Sequence, residues 1–256
     1  MKKDFLPIIS IDPSNIEKED LCCAKSMDKK NSEGVILKKK WMLERFEEGM
    51  IFKKIQSSAK IFIEYIPAEY AWRPITADGY MCIHCLWVSG SAQGKGFGHA
   101  LLAECEKDSK NMNGVTVVTS KKPFLTDKKI FLKHGFEVCD SAEPYFELLV
   151  KKYNKKAEDP KFNSPAKSGV IKKSKGLMVA YSRQCPFSNY YIHEMEKAAL
   201  QVKIPFRAQI IESCEDAQNL ASPYGTFGVF YDGKFISHEI MSIGRFEKLL
   251  AGIKLK

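Results

Sequence analysis

Apolar residues in the first part of the chain follow two kinds of pattern, short runs and helical repeats. The short runs are rich in β-branched and aromatic residues, which favours strands, over residues 5–10, 50–55, 61–66, 81–88, 115–119 and 145–150. Helical spacing and capping residues predict helices from Asp12 or Ser14 to Ala24, over 38–46, from 98 to about 110, and from Asp127 to Gly135. Strands outnumber helices, and hairpins are mixed with crossovers. The pattern therefore predicts the α/β (α+β) class, with a mixed sheet and flanking helices.

The composition changes sharply between Lys151 and Lys175. This segment is rich in Lys, Pro, Ser and Asn and poor in large apolar residues, which is typical of linkers. Apolar segments lie on both sides of it. We therefore predict a first domain over residues 1–150, a linker over 151–175 and a second domain over 176–256.

The apolar pattern of the second domain predicts a smaller α/β unit. Strands are expected over residues 176–182, 204–211, 226–231 and 234–237. The last two strands flank Asp232-Gly233, which is a good two-residue hairpin turn. One helix is expected after Ser188 and through about Gln201, and another over 245–251.

Charge and hydropathy indicate which kinds of molecule the protein is expected to bind. The formal net charge is +9, but the lysines are scattered, arginine is scarce, and aromatic residues do not alternate with basic ones as in a base-stacking surface. We predict a solvated basic surface and no nucleic-acid partner, with a field that favours an anionic cofactor. No apolar run is long enough to cross a bilayer, and Pro7 interrupts the apolar patch near the start. We therefore expect a cytoplasmic protein without a membrane partner.

The eight cysteines do not predict a disulfide framework, because cytoplasmic chains of this size rarely carry one. Cys82 and Cys85 resemble half of a metal site. They lie in a predicted strand, where residues three apart face opposite ways. We predict no metal site.

The most specific segment is a strand, residues 83–88, that leads into a loop with glycines at 94, 96 and 98 and then directly into a helix. Glycines let backbone N–H groups approach an anion closely. The start of a helix adds unpaired donors and a positive dipole end. The segment therefore predicts a pyrophosphate-binding loop. The dinucleotide pattern G-x-G-x-x-G fails, because residue 99 is His, and the P-loop pattern is absent.

The spacing Gln-Gly-x-Gly-x-Gly after Leu86-x-Val88 resembles the coenzyme A loop of the GNAT acetyltransferase superfamily. The helix end at Gly135-Phe136 resembles the Gly-Phe ending of that family's last helix. The resemblance covers roughly residues 5–150. It implies an acetyl-CoA-dependent N-acetyltransferase, in which an amine attacks the thioester directly.

The resemblance also implies roles for particular residues. Backbone N–H groups of the loop would hold the pyrophosphate. The strand that ends at Val88 would separate from its neighbour and pair with the pantetheine arm. The Val88 N–H would polarise the thioester carbonyl, as in an oxyanion hole. The cofactor-binding residues implied are Val88, Gln93, Gly94, Lys95, Gly96, Phe97 and Gly98.

His84 is the candidate catalytic base. It precedes Val88 by four residues, so a regular strand would place both side chains on one face. It resembles the catalytic His that arylalkylamine acetyltransferases of this superfamily carry at this place. An imidazole suits proton transfer near neutral pH. The alternative is a packed or hydrogen-bonded structural histidine.

Two features of the acceptor side stay open. Many family members carry a Tyr that protonates the leaving thiolate where this chain has Phe131. Tyr145 or Cys139 would be substitutes, or the thiolate leaves unaided. The aromatic segment 65–74 would line an amine pocket, with Glu69 attracting a cation, or would simply pack as a loop.

The second domain resembles thioredoxin-like folds in its order of elements, βαβ followed by ββα. The segment from Tyr181 to Ser188 resembles a glutaredoxin active-site turn with one cysteine, Cys185, placed before a helix where a thiolate is favoured. Ser188 replaces the second cysteine of that turn, and Cys214 is a candidate resolving thiol. An acetyltransferase domain followed by such a domain resembles the proteins whose C-terminal half is called YoaP-like.

The leading hypothesis is an acetyl-CoA-dependent N-acetyltransferase that acts on a small-molecule or peptide amine. A thiol-redox protein that uses Cys185, or a coenzyme A sensor without turnover, is the alternative. A homodimer is left open.

Overall fold

The computed structural model describes residues 6–21, 30–172 and 174–254. The chain divides into two compact units, of which the first comprises residues 1–23, 39–71 and 75–162. The second comprises residues 24–38, 72–74 and 163–256. The expected strand end at Phe5 and helix end at Ala24 lie outside the described residues.

Most of the first unit is one seven-stranded sheet. The strands of this unit are β1 Ile8–Ile11, β2 Ile51–Ile55, β3 Ile61–Pro67, β4 Ile75–Thr76, β5 Tyr80–Val88, β6 Gly114–Ser120, β7 Glu137–Ala142, β8 Phe146–Lys152 and β9 Lys161–Phe162. The order in the large sheet is β1-β2-β3-β5-β6-β8-β7, and β4 pairs with β9 separately. In the large sheet, β5 and β6 are parallel and the other neighbours are antiparallel. The predicted mixed sheet is confirmed.

Helices α2 Phe97–Asp108 and α3 Lys128–Lys133 belong to this unit. Helix α1 Ser32–Glu47 begins in the second unit, and its residues from Lys39 onward belong to the first. On one face of the sheet, Ile63 and Leu86 form a buried core with Leu101 and Cys105 of α2. Burial of these side chains on folding stabilises the unit by about 1.5–3 kcal/mol for each large apolar side chain. The core therefore fixes α2 against the strands that carry the glycine loop, residues 93–98.

Several expected elements differ in the structure. The helix expected from Asp12 does not form over the described residues 12–21, because Asp12 Oδ1 accepts hydrogen bonds from Ser14 N (2.8 Å) and Ser14 Oγ (2.6 Å) and closes a turn instead. Helix α1 begins at Ser32, earlier than expected. Strand β7 was not expected, because it is an edge strand with mostly polar or half-buried side chains.

The segment expected to be a linker, residues 151–175, carries secondary structure. Strand β8 continues to Lys152, whose Nζ donates to Ala157 O at 2.6 Å and to Asp159 Oδ1 at 2.8 Å. Residues up to Phe162 belong to the first unit. The residues that follow belong to the second unit and begin with helix α4, Ser164–Ser168.

The second unit contains a four-stranded sheet with three further helices. Its elements after α4 are β10 Leu177–Tyr181, α5 Ser188–Gln201, β11 Phe206–Ile210, α6 Cys214–Gln218, β12 Phe227–Tyr231, β13 Lys234–Ser237 and α7 Ile243–Lys254. The strand order is β11-β10-β12-β13. Strands β10 and β11 are parallel, and the other two pairs are antiparallel. Val179, Phe230 and Phe246 are completely buried in this unit.

In the described part of the chain, no helix has the length and apolar character needed to span a membrane.

A polar network ties α2 to the neighbouring strands. Lys53 Nζ lies 2.7 Å from Glu104 Oε2 and 2.8 Å from Asp108 Oδ2. The Tyr65 hydroxyl donates to Asp108 Oδ2 at 2.7 Å. Burial opposes ionisation of the Asp108 carboxyl, but the hydrogen bonds from Lys53 and Tyr65 outweigh it and lower its pKa below 3.8.

Replacement of Asp108 by Asn is expected to lower the free energy of unfolding by about 1–3 kcal/mol at pH 7, because a partly buried, charged hydrogen-bond acceptor is lost. The folded-state pKa of Asp108 is depressed, so its contribution is present above pH 3.8 and is lost as the pH falls through the folded value. Urea unfolding near neutral pH and in acid measures both effects. As a control, Asp159→Asn breaks a more exposed pair and should change little. An Asp108→Asn difference that persists unchanged in acid would contradict this account.

Candidate active site

A cleft opens where β5 and β6 separate. The two strands pair in parallel from Tyr80 and Gly114 to Ile83 and Val117. Beyond this point β5 pairs only with β3, as far as Val88, and β6 continues along β8. Between the separated ends lies a cleft of about 510 Å³. Its lining is mostly apolar, and its polar members include His84, Cys85, Gln93, Thr126, Asp127 and Lys129.

The wall formed by β5 presents backbone groups to this cleft. Ser89 N–H donates to Lys60 O at 3.0 Å, toward β3. Because backbone groups of successive strand residues point to opposite edges, the N–H and C=O of Val88 point toward the cleft. Two side chains bond to carbonyls on this edge: Gln93 Nε2 donates to Val88 O at 3.2 Å, and Thr126 Oγ1 donates to Leu86 O at 2.8 Å. The cleft therefore has a strand edge able to bind an extended ligand.

A β-bulge sets the direction of His84. In the register of β3 and β5, Glu64 lies opposite Cys85 and Tyr65 lies opposite Ile83, so His84 is the extra residue. Its Nδ1 lies 3.3 Å from Glu64 Oε1, and both side chains are fully buried. The Val88 side chain packs against the core on the α2 side instead. The expectation that His84 and Val88 share a face is therefore wrong, although both line the cleft.

The glycine loop has the backbone that its composition predicts. Gly94 and Gly96 have φ angles of 74° and 87°, which side chains rarely adopt. A Cβ at either position would meet no atom within 4 Å, so the space beside them is open. A Cβ at Gly98 would lie 2.7 Å from Ile130 Cδ1, so this glycine permits close packing of α2.

Helix α2 begins at Phe97, immediately after Gly96, which caps the helix without a side chain. The first turn of any α-helix leaves N–H groups without intrahelical acceptors, and the dipole adds positive potential there. Lys95 is exposed in the same loop. The loop and helix start thus combine open space, N–H donors and positive charge, which is an environment suited to a pyrophosphate.

A histidine pair lies beside this helix start. His99 Nδ1 lies 2.5 Å from His134 Nε2, and His134 Nδ1 lies 3.4 Å from Glu106 Oε1. Burial lowers the pKa of His134 although Glu106 favours its charged form. The pair therefore links α2 to the end of α3.

Neither candidate acid lines the cleft. Phe131, which stands where many family members carry the acid, is completely buried at the cleft wall. Its ring packs edge-to-face on that of Phe136, with the ring centroids 5.5 Å apart. Tyr145 and Cys139 are not among the cleft residues. Burial raises the pKa of Cys139 to about 12. The structure therefore brings neither substitute to the position where a thiolate would leave.

Several residues of the aromatic segment 65–74 are packed or hydrogen-bonded, whereas Tyr70 is exposed. Glu69 Oε1 accepts the Gly79 N–H at 2.6 Å, which ties a turn together. Tyr65 is fully buried. Residues 72–74 belong to the second unit.

Cys185 belongs to the second unit and is half-buried in the turn before α5. It borders a cavity of about 240 Å³ whose other lining residues include Gly34, Leu37 and Asn189. Lys38 Nζ donates to the carbonyl oxygen of Gln184, the residue before Cys185, at 3.0 Å. Cys214 does not line this cavity; its Sγ accepts a hydrogen bond from Gln218 Nε2 at 3.2 Å.

Sequence reasoning missed three residues of the cleft region. Glu64 is a single acidic residue inside the apolar run 61–66, and a charge in such a run signals a buried, paired carboxylate. Thr126 and Phe124 lie in the loop before α3 and line the cleft. Phe124 has a φ of 73°, a strained conformation for an aromatic residue. Nothing in the sequence predicts this conformation.

The chain matches two protein families and one relative of nearly the same extent. The family described as acetyltransferase (GNAT) domain matches residues 30–149, and the family described as YoaP-like matches residues 205–248. A Bacillus subtilis (strain 168) protein named "Uncharacterized N-acetyltransferase YoaP" is 41% identical over 246 residues, which are 94% of this chain and 97% of that protein.

Parts of the chain also resemble solved acetyltransferase structures. The PaiA N-acetyltransferase from Thermoplasma acidophilum, in complex with coenzyme A, is 17% identical with a TM-score of 0.40; the match covers 58% of this chain and 100% of that one. An IAA acetyltransferase from Bacillus cereus ATCC 14579 is 16% identical with a TM-score of 0.38, covering 57% of this chain and 99% of that one.

The predicted N-acetyltransferase activity and its acetyl-CoA co-substrate are confirmed by the matched family and by the full-length relative. The chain belongs to the GNAT family of N-acetyltransferases and carries a YoaP-like C-terminal region.

Proposed function

We propose that the cleft between β5 and β6 binds acetyl-CoA and that the acetyl group passes directly from it to a primary amine. The observation that carries the proposal is the separation of the two strands beside the open glycine loop. The Val88 N–H and the Leu86 and Val88 carbonyls lie along one edge of this gap. An extended arm with amide groups fits such an edge as an added strand.

The glycine loop is proposed to hold the pyrophosphate. N–H groups of Gly94 to Gly98 and the positive end of α2 supply the donors and potential, and Lys95 adds charge. The Gln93 N–H donates to Gly90 O at 3.1 Å, so Gln93 contributes through its place in the loop. The Val88 N–H then donates to the thioester carbonyl. This hydrogen bond strengthens as negative charge develops on that oxygen.

His84 is proposed as the base. An ammonium acceptor transfers one proton to the imidazole, and the freed electron pair on nitrogen forms the bond to the carbonyl carbon. The carbon–sulfur bond then breaks, and its electron pair leaves with sulfur. The second nitrogen proton passes to the thiolate, so the products are the amide, coenzyme A as the thiol, and one proton held by His84. Since Phe131 cannot donate, the thiolate leaves without a protein acid.

The acceptor is proposed to be a small-molecule or peptide amine. The scattered lysines favour neither nucleic acid nor a membrane as a partner. We also propose a cytoplasmic location and a homodimer.

Turnover with defined amines tests the function. Thiol release from acetyl-CoA is followed with 2-phenylethylamine, spermidine and a glycyl peptide as acceptors, and mass spectrometry identifies the product. An N-acetylated product with equimolar coenzyme A is expected. Tight acetyl-CoA binding without turnover of any amine would favour a coenzyme A sensor instead.

We also propose that the second unit is a thioredoxin-like module with a reactive thiol. The cavity beside Cys185 and the Lys38 ammonium bound to the adjacent carbonyl support this assignment. Iodoacetamide titration at pH 7 with peptide mapping should alkylate Cys185 faster than Cys214, which is also half-buried. Equal rates for the two thiols would remove the basis of a redox role.

A further inference from the structure

Glu64 is a buried carboxylate at a position where an apolar residue would be expected. It lies in the middle of β3, within the run Ile61–Pro67, and no part of its side chain is exposed. Burying an ionised carboxylate costs free energy that even a good partner rarely offsets in full. An aliphatic residue here would be at least as favourable for folding. The carboxylate therefore calls for an explanation other than stability.

Three features coincide at this carboxylate. The β-bulge inserts His84 next to Cys85, the residue opposite Glu64. The pairing of β5 with β6 ends at Ile83, the residue before His84. The imidazole Nδ1 lies 3.3 Å from Glu64 Oε1, and His84 lines the cleft that opens at this point. The bulge thus directs the imidazole to the carboxylate, at a residue that also belongs to the cleft lining.

We propose that Glu64 is a positioning residue that acts through His84; this inference rests on the base role given to His84 above. The carboxylate accepts the Nδ1–H of the imidazole, which selects the tautomer whose lone pair is on Nε2. When Nε2 takes the proton of the ammonium acceptor, the adjacent negative charge stabilises the imidazolium. Glu64 stays ionised, and the proton leaves from Nε2 to solvent after the amide departs.

Other charged or titratable groups around His84 come from three elements. From α1, the Arg45 guanidinium lies 5.6 Å from the Trp41 ring, and that ring lies 6.3 Å from the imidazole. Cys85 follows His84 on β5. Asp127 and Lys129 line the cleft from the α3 side. Glu64 is at hydrogen-bonding distance from the imidazole, so its charge should dominate the protonation of His84.

The test is a double-mutant cycle on kcat with the fastest amine of the acceptor panel. Glu64→Gln keeps the shape and removes the charge, and it should lower kcat about 10- to 100-fold, the range typical of residues that orient a functional imidazole. The KM for acetyl-CoA should stay unchanged. In the His84→Ala background, Glu64→Gln should change kcat less than about twofold, because its effect depends on His84.

The pH profile gives a second readout. Activity falls in acid as the imidazole gains a proton. Without the carboxylate that favours the imidazolium, the acidic limb of kcat/KM should move to lower pH in Glu64→Gln. Glu64→Asp keeps the negative charge but places it farther from the imidazole, so this variant should retain more activity than Glu64→Gln. It replaces Glu64→Gln in the test if the Gln variant folds poorly.

Tyr65→Phe is the matched control. It removes a part-buried hydrogen bond made by the next residue of β3, but on the α2 side. It should lower stability without changing kcat. If His84→Ala lowers kcat while Glu64→Gln does not, or if the two losses multiply in the double variant, the role of Glu64 is overturned. If His84→Ala leaves kcat unchanged, the proposed base itself fails.

Discussion

Gly96→Glu is expected to weaken acetyl-CoA binding by more than about 100-fold, because it places a like charge where the pyrophosphate must lie. The space beside Gly96 is open in the structure, so the new side chain would occupy it rather than displace protein atoms. Isothermal titration of acetyl-CoA into the two proteins measures the change. Wild-type affinity in the variant would contradict the assignment of the loop.

Gly96→Ala separates charge from backbone strain. The φ of 87° disfavours any side chain, and the left-handed conformation costs a non-glycine residue about 1–2 kcal/mol. The Ala variant carries that cost without the charge or the bulk. Its affinity should therefore fall by no more than about 30-fold. Equal losses in the two variants would attribute the effect to loop conformation instead of to the anion.

His84→Ala is expected to lower kcat by about 100-fold or more, the usual contribution of a general base. The KM for acetyl-CoA should not change, since the glycine loop and the strand edge are untouched. The deficit should shrink as the pH approaches the pKa of the acceptor amine, because a neutral amine needs no base. A kcat equal to that of the wild type near pH 7 would remove His84 from the chemistry.

The fold of the first unit could be predicted to a large extent from its sequence. The runs at 50–55, 61–66, 81–88 and 115–119 became β2, β3, β5 and β6 within a residue or two. Buried strands can be recognised in a sequence because packing on both faces of the sheet requires apolar or β-branched residues. Edge strand β7 has one neighbour and mostly polar or half-buried side chains, so its pattern is too weak to read.

Helix α1 shows why local rules fail where packing decides. Its start at Ser32 includes Gly34, which disfavours a helix by about 1 kcal/mol relative to Ala. In the second unit, however, a Cβ at this position would lie 1.9 Å from the carbonyl oxygen of Pro186. The glycine therefore permits a close approach to the turn that carries Cys185. A single sequence gives no sign of such a contact.

The candidate site was predictable in its loop but not in its strand. The glycines at 94, 96 and 98 signal an anion-binding turn through their spacing alone. The bulge at His84 depends on the register between β3 and β5, which involves residues about twenty positions apart along the chain. One extra residue reverses which face a side chain occupies. This is why the pairing of His84 with Glu64 could not be derived from the spacing to Val88.

Amide hydrogen exchange with and without acetyl-CoA tests the central claim, that the separated strands and the glycine loop hold this co-substrate. Exchange is resolved to single residues over 84–98 by fragmentation mass spectrometry, with edge strand β7 as an internal reference. Slower exchange is expected at Val88 and at Gly94 to Gly98 when acetyl-CoA saturates the protein, with no change in β7. Unchanged exchange at these amides, with acetyl-CoA bound, would contradict the claim.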